Sequence, residues 1–157
     1  MSNMPCKYQR MSRQGKITQP GDIDTQAKFR QLTEGIDLAG KSLLDVGCNC
    51  GEMCRLAKEA GAKKTLGIDI NRDYIHQARE LNPALPFCVD NAYDARGEFD
   101  VVLASAMLHY VGDYRRFFAR LARVTKEVLT LDVWLTDSPD ACFVLTKRGM
   151  FIPSEAA

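Results

Sequence analysis

The chain has 157 residues, 46% of them hydrophobic and 26% charged, an ordinary composition for one globular domain that excludes general disorder. Its 21 basic and 20 acidic residues leave a formal net charge of +1, which excludes a strongly basic nucleic-acid binder or an acidic tail protein as a reading of the whole chain. No apolar run approaches the roughly 20 residues that span a bilayer. The opening MSNMPCKYQR lacks the apolar stretch of a signal peptide, so a cytoplasmic protein without membrane contact is expected.

Residues 1–23 are polar and interrupted by Gly15, Pro20 and Gly21, which reads as a basic, solvated N-terminal arm. The core domain is expected over 24–157. Asp24 or Thr25 caps a helix carrying Phe29, Leu32 and Ile36 on one side. Gly40 leads into a short apolar run, Ser42–Val46, that reads as a buried strand. A glycine-containing turn at 47–51 opens a helix with Met53, Leu56, Ala57 and Ala60, stopped by Gly61. Thr65–Ile68 is a second strand, ending at Asp69. Asn71 or Arg72 starts a helix with Ile75 and Ala78, closed by Asn82-Pro83. Pro86–Val89 and Phe99–Ala104 read as the third and fourth strands. Asp113 caps a helix with Tyr114, Phe117, Phe118, Leu121 and Val124 on one face and Arg115, Arg116, Arg120 and Arg123 on the other. Val128–Val133 is the fifth strand.

Strands alternating with helices indicate right-handed βαβ units: a three-layer α/β sandwich around a mostly parallel sheet. Ligands of such sheets sit beyond the carboxyl ends of the strands, so the loops after Val46, Ile68, Val89 and Ala104 are the ones to read. The first, Asp45-Val-Gly-Cys-Asn-Cys-Gly51, has Gly47 and Gly51 separated by three residues, and no G-x-G-x-x-G occurs. Asp45 would repel a pyrophosphate and suits a ligand carrying an ammonium or sulfonium group. That disfavours an NAD-dependent oxidoreductase. Asp69 stands where a carboxylate accepts both hydroxyls of a ribose. Asp90 and Asn91 are placed to bond the edge of a base, and His109 and Tyr110 fall near the pocket mouth. Each has an ordinary structural role open to it as well, as a helix cap, a turn former or a core histidine. Four successive strand ends with compatible chemistry favour a site.

Six cysteines in a chain of this kind are expected to be mostly free thiols. Cys48, Cys50 and Cys54 form C-x-C-x3-C without a second Cys or His pair, and no metal is expected.

Leu43–Gly51, then Gly67-Ile-Asp69, Asp90-Asn91 and Phe99–Val111 resemble the ordered motifs of class I S-adenosylmethionine-dependent methyltransferases. The resemblance covers about residues 25–135. It implies strand order 3-2-1-4-5, S-adenosyl-L-methionine as cofactor and S-adenosylhomocysteine as product. By the same match, Asp45, Gly47, Cys48, Asn49 and Gly51 would hold the methionine end. Asp69 would hold the ribose, Ile70 would pack on adenine, and Asp90 and Asn91 would face it. The backbone around Ala104 and Ser105 would meet the methionine amino group. Asn49 replaces the usual middle glycine of the first motif, and Arg123–Val128 lacks the Pro-Gly-Gly often found before the fifth strand.

Methyl transfer from a sulfonium is a direct displacement, so a hydroxyl acceptor would need only a base, with His109 first and Tyr110 second. The acceptor itself is not legible; a small molecule is favoured over nucleic acid. The competing reading is a non-catalytic S-adenosylmethionine-binding or regulatory module. The family's sheet usually has seven strands, and strands 6 and 7 are expected to be missing: Phe143-Val-Leu and Met150-Phe-Ile look too short to supply them and the helix before them. Pro153–Ala157 resembles the start of that helix, as though the core stops inside it. The fifth strand would then be an open edge, covered by residues 135–157 or by a second copy in a homodimer.

Overall fold

A computed structural model of the protein defines residues 7–14 and 16–133, together with two short strands at 143–145 and 151–153. In chain order the elements are β1 (Gln9–Arg13), β2 (Lys16–Gln19), β3 (Ile23–Asp24), α1 (Thr25–Leu32), β4 (Ser42–Val46) and α2 (Glu52–Glu59). They continue with β5 (Lys64–Asp69), α3 (Arg72–Leu81), β6 (Phe87–Val89), β7 (Phe99–Ser105), α4 (Tyr114–Val124) and β8 (Thr125–Asp132), then β9 (Phe143–Leu145) and β10 (Phe151–Pro153).

Five of these strands make one parallel sheet in the order β6-β5-β4-β7-β8. Counted from β4, that is the expected 3-2-1-4-5. Leu43, Leu44 and Val46 of the central strand are buried, because helices cover both faces and leave no polar side. On one face Phe29 and Leu32 of α1 and Met53, Leu56 and Ala57 of α2 pack on Leu43, Val101 and Leu103. On the other, Phe117, Leu121 and Val124 of α4 pack on Leu44, Val46, Val102 and Ala104. α3 sets Ile75 and Ala78 against Phe87, Cys48 and Cys54. Three helices start where the sequence places caps: the side chains of Asp24, Asn71 and Asp113 accept from Ala27, Asp73 and Arg116 amides respectively. Each such cap contributes about 1 kcal/mol.

Three expectations change. Within residues 1–23, read as an arm, Gln9–Arg13 and Lys16–Gln19 join Ile23–Asp24 in a three-stranded sheet of order β2-β1-β3, with β1–β2 antiparallel and β1–β3 parallel. The inward positions of β1 are Gln9 and Met11, so its buried face is half polar and carries no hydrophobic alternation. The fifth strand begins at Thr125, not Val128: α4 passes straight into it, and the Thr125 hydroxyl donates to Leu121 O in place of a glycine turn. At the far end the five-stranded sheet has no sixth or seventh strand among the described residues, as expected, but β9 and β10 form an antiparallel pair hydrogen-bonded to each other and separate from it. Two three-residue strands need far less chain than a full hairpin with its helix. The helix start expected over Pro153–Ala157 meets the end of β10 at Pro153, and its other residues lie outside the described residues. No helix among the described residues is long and apolar enough to cross a membrane.

Phe117 is fully enclosed between α4 and the sheet. Phe117→Ala is expected to cost about 3–5 kcal/mol, read from urea unfolding; a loss below about 1 kcal/mol would contradict this packing.

Candidate active site

The loop between β4 and α2 needs a left-handed backbone three times within five residues: Gly47 at φ 75°, Asn49 at φ 51° and Gly51 at φ 80°. At Gly47 the positive φ favours glycine, and a Cβ would also stand 2.1 Å from Met107 Sδ, so that side chain would have to move. Asn49 fills the family's middle glycine position, since asparagine tolerates positive φ better than other side chains. Its side chain also accepts from the Cys50 amide. The other loop amides are satisfied in turn. Those of Gly47 and Cys48 donate to Ile68 O, that of Gly51 to Cys48 O and that of Asn49 to Asp69 Oδ2. The loop after the first core strand is thus bonded to the end of the second.

Two carboxylates face this loop. Asp45, at 1% exposure, has its carboxylate oxygen 3.9 Å from the donating Cys54 Sγ. Burial, then the negative charge of Asp69, push its pKa up to about 7, against a small opposing effect of the Cys54 bond. Asp69 accepts from Asn49 through one oxygen and from the Asn71 amide through the other, both at 2.9 Å. Cys48 and Cys54 are buried free thiols whose pKa values burial pushes well up, so neither is a thiolate available to a metal. Cys50 is disulfide-bonded, an exception to the free-thiol expectation. Among the described residues no group of three or more His, Cys, Asp or Glu comes together as a ligand set.

The remaining predicted residues fall along the same carboxyl edge. Ile70 follows Asp69 and is 71% exposed, an apolar side chain with nothing over it. The Asp90 amide donates to Asp69 O, which sets Asp90 beside Asp69. Asn91 uses its side-chain oxygen to cap the short turn at Ala92–Asp94, accepting from Tyr93; that oxygen already has a structural duty. Ala104 is buried at the end of β7, and Ser105 Oγ is buried with no hydrogen-bond partner among the described residues. His109 and Tyr110 sit in the short turn at Leu108–Tyr110, their rings 4.2 Å apart. They separate in environment: His109 is buried, whereas Tyr110 is 72% exposed. β10 lies beside this turn.

Further polar residues stand at this edge beside those the motifs pick out. Asp132 ends β8 opposite Ser105 and pairs with Lys28 of α1 at 2.8 Å; it also accepts from the Ala106 amide. Lys28 Nζ donates to the Tyr8 hydroxyl at 3.2 Å. Burial, with Lys28 adding to it and Asp132 opposing, lowers the His109 pKa below its ordinary value. Asp132 at a strand end was open to the same reading as Asp69 and Asp90. Lys28 was not, since it is one of several charges on an amphipathic helix.

A parallel sheet in this order, with a glycine-hinged, acid-lined first loop, is the fold of the class I S-adenosylmethionine-dependent methyltransferases. The chain belongs to the methyltransferase-domain family, whose profile matches residues 23–154. It is 29% identical over 106 residues to a ubiquinone biosynthesis O-methyltransferase of Rhodopseudomonas palustris, covering 63% of this chain and 41% of that protein. Over 60 residues it is 38% identical to the ribosomal protein L11 methyltransferase of Serratia proteamaculans, covering 38% and 20%. The chain therefore spans less than half the length of these curated relatives. The magnesium protoporphyrin IX methyltransferase of Synechocystis PCC 6803, solved with bound S-adenosylmethionine, shares its fold with a TM-score of 0.61. That match is 19% identical and covers 71% of this chain and 57% of that one.

Because the folded-state pKa of Asp45 is raised, from 3.8 to about 7, the folded protein holds a proton there that the unfolded chain has already lost. Its stabilising effect is complete below about pH 4 and is lost as pH rises to about 7. Stability measured by urea titration is expected to fall across that window by a few kcal/mol, about 4 at most. Asp45→Asn should flatten the fall, and an unchanged slope would refute the assignment.

Proposed function

We propose that the protein transfers a methyl group from S-adenosyl-L-methionine to a small-molecule acceptor by direct displacement, leaving S-adenosylhomocysteine. The observation that carries this reading is the pair of carboxylates, Asp45 and Asp69, on adjacent strand ends around a loop with three left-handed residues. Two acids at one loop suit a cationic ligand and repel a dinucleotide's pyrophosphate. The residues present fit the cofactor. Asp69 keeps lone pairs for ribose hydroxyls beyond the two amides it accepts from. Ile70 offers an apolar platform for a base, with Asp90 at its edge. Ser105 Oγ is a buried hydroxyl lacking a partner among the described residues, suited to a polar group at the methionine end. The loop from Gly47 through Cys48 and Asn49 to Gly51 would lie under that end, beside Asp45 and the Ala104 backbone.

The cofactor supplies an activated methyl group. What the chain adds is alignment, which contributes roughly 7–11 kcal/mol where a reaction is fully preorganised, and a base. His109 is the base in this reading: its buried, lowered pKa keeps the ring neutral near pH 7 and able to take a proton. Tyr110, the second candidate, is better placed to touch an acceptor than to receive its proton. A small molecule is favoured because the longer of the two matches is to a ubiquinone biosynthesis O-methyltransferase. Nucleic acid is disfavoured because two arginines of α4 are engaged locally, Arg116 with Asp94 and Arg120 with Tyr93 O. A cytoplasmic location accompanies this reading.

Calorimetry should show binding of S-adenosylhomocysteine and none of NAD, with Asp69→Ala weakening it at least tenfold. The reverse preference would end the reading. Once an acceptor is found by screening with labelled cofactor, His109→Ala should lower turnover about 10²-fold or more, and the acid limb of the rate profile should lie below pH 6.5. A change under about threefold would remove His109 as base. Binding without transfer to any acceptor would instead support a non-catalytic module. β8 pairs on one side only among the described residues, and this reading includes a homodimer through its other edge; sedimentation at the monomer mass would exclude it.

A further inference from the structure

We propose that the N-terminal sheet is a working part of the cofactor site: Gln9 and Arg13 are positioning residues that hold residues 48–52 in their binding shape, so that docking of β1–β3 and binding of the cofactor favour one another. This rests on the cofactor reading above and adds to it a region outside the methyltransferase profile, which begins at residue 23.

Gln9 is buried, and its one amide group spans the loop. Nε2 donates to Cys48 O at 3.2 Å, and Oε1 accepts from the Glu52 amide at 3.5 Å. The Glu52 amide is the first of α2 and has no partner within the helix. Gln9 supplies it. Each end of the turn is therefore bonded to the same side chain of β1.

Arg13 acts on the side chain of the same residue, Glu52. Its Nη1 contacts both carboxylate oxygens of Glu52, at 2.8 and 3.0 Å, while Arg55 Nε and Nη2 bind the same two oxygens at 2.9 and 2.7 Å. Glu52 is 0% exposed. A carboxylate so enclosed is tolerable only while its charged partners stay in place, because removing one from a buried pair leaves charge without compensation. Arg55 belongs to α2 itself, but Arg13 comes from the N-terminal sheet. Met11, between Gln9 and Arg13, is buried against Cys50.

The strands of this sheet also hold to one another independently of the loop. Asp22 and Ile23 amides donate to Lys7 O and Tyr8 O, and Gly21 crosses so near Gln9 and Arg10 that a Cβ would stand 2.4 Å from their backbone. Tyr8 also receives Lys28 of α1, which pairs with Asp132. β1 therefore links the loop at β4 to the ion pair at the end of β8. A ligand that requires the loop's present shape stabilises every contact that holds it, and by reciprocity those contacts raise the ligand's affinity.

The test uses the full chain with S-adenosylhomocysteine as probe. Gln9→Ala and Arg13→Ala should each weaken binding about fivefold or more, the equivalent of about one hydrogen bond, with Arg13→Lys recovering part of the loss. Phe117→Leu provides the comparison: it should lower the melting temperature yet leave affinity within twofold. Hydrogen exchange should show the β1 amides slowed by ligand in the wild-type chain and less so in Gln9→Ala. Equal affinity of wild type and both alanine variants, with β1 exchange indifferent to ligand, would overturn the coupling while leaving the cofactor reading intact. A wild-type chain that does not bind the probe would overturn both.

Discussion

The carboxyl edge of the sheet depends on the carboxylate of Asp69. One of its oxygens receives the Asn49 amide from the loop after β4, and the other receives the Asn71 amide at the start of α3. Two turns that belong to different βαβ units are thereby fixed to one side chain at the end of a buried strand. Without that bridge the left-handed residue Asn49 would have one less bond to offset its strained backbone. The loop in turn decides where α2 begins, and with α2 come Glu52, Arg55 and the contacts to β1. Hydrogen bonds to a charged carboxylate are among the stronger ones, which suits an element from which so much else is hung.

The same bridge has an electrostatic cost, felt at Asp45. Its strand neighbour is Gly67, two residues before Asp69, and the burial of Asp45 weakens the screening between the two acids. The outcome is a raised pKa at the more enclosed acid, so that near neutrality the pair carries less than two full charges. An arriving cation relieves that repulsion. On the proposed reading the site gains charge as it gains a positively charged ligand, and Cys54, held neutral by burial, adds a weak donor without adding to the repulsion.

How much of this was legible follows from what each residue packs against. The central strands β4 and β7 announce themselves because both of their faces meet apolar helices, so Leu43-Leu44 and Val101–Leu103 had to be unbroken apolar runs. The helix starts were legible because Asp24, Asn71 and Asp113 cap through their own side chains. β1 was not. Of its inward residues only Met11 packs on an apolar neighbour, Cys50, while Gln9 meets loop backbone, and one residue that satisfies the buried Glu52 is an arginine that looks like any solvated charge. Glu52 and Arg55, three apart on a helix, carry no sign of their burial in the sequence for the same reason. The start of β8 was misplaced by three residues because a threonine whose hydroxyl back-bonds to the helix can end α4 without a glycine. Polar burial depends on its partners. Single-chain periodicity does not reveal them.

On the proposed reading, the two ends of the edge contribute to different quantities. Asp45 and Asp69 meet a positive ligand that loses its charge as the methyl group departs. Their attraction is therefore stronger in the ground state than after transfer, and it contributes to binding more than to turnover. The acceptor side has the opposite arrangement. Lys28 and Asp132 form a fixed pair, close to neutral together, next to a histidine that burial keeps unprotonated. A proton released by an acceptor during transfer finds there a base whose new charge Asp132 can stabilise, since its attraction already opposes the effect of burial on His109. That stabilisation appears only as the proton moves, so it lowers the barrier without tightening the ground state. Cofactor affinity is thus expected to follow the acids of β4 and β5, and rate to follow the turn after β7 with its partners on β8 and α1.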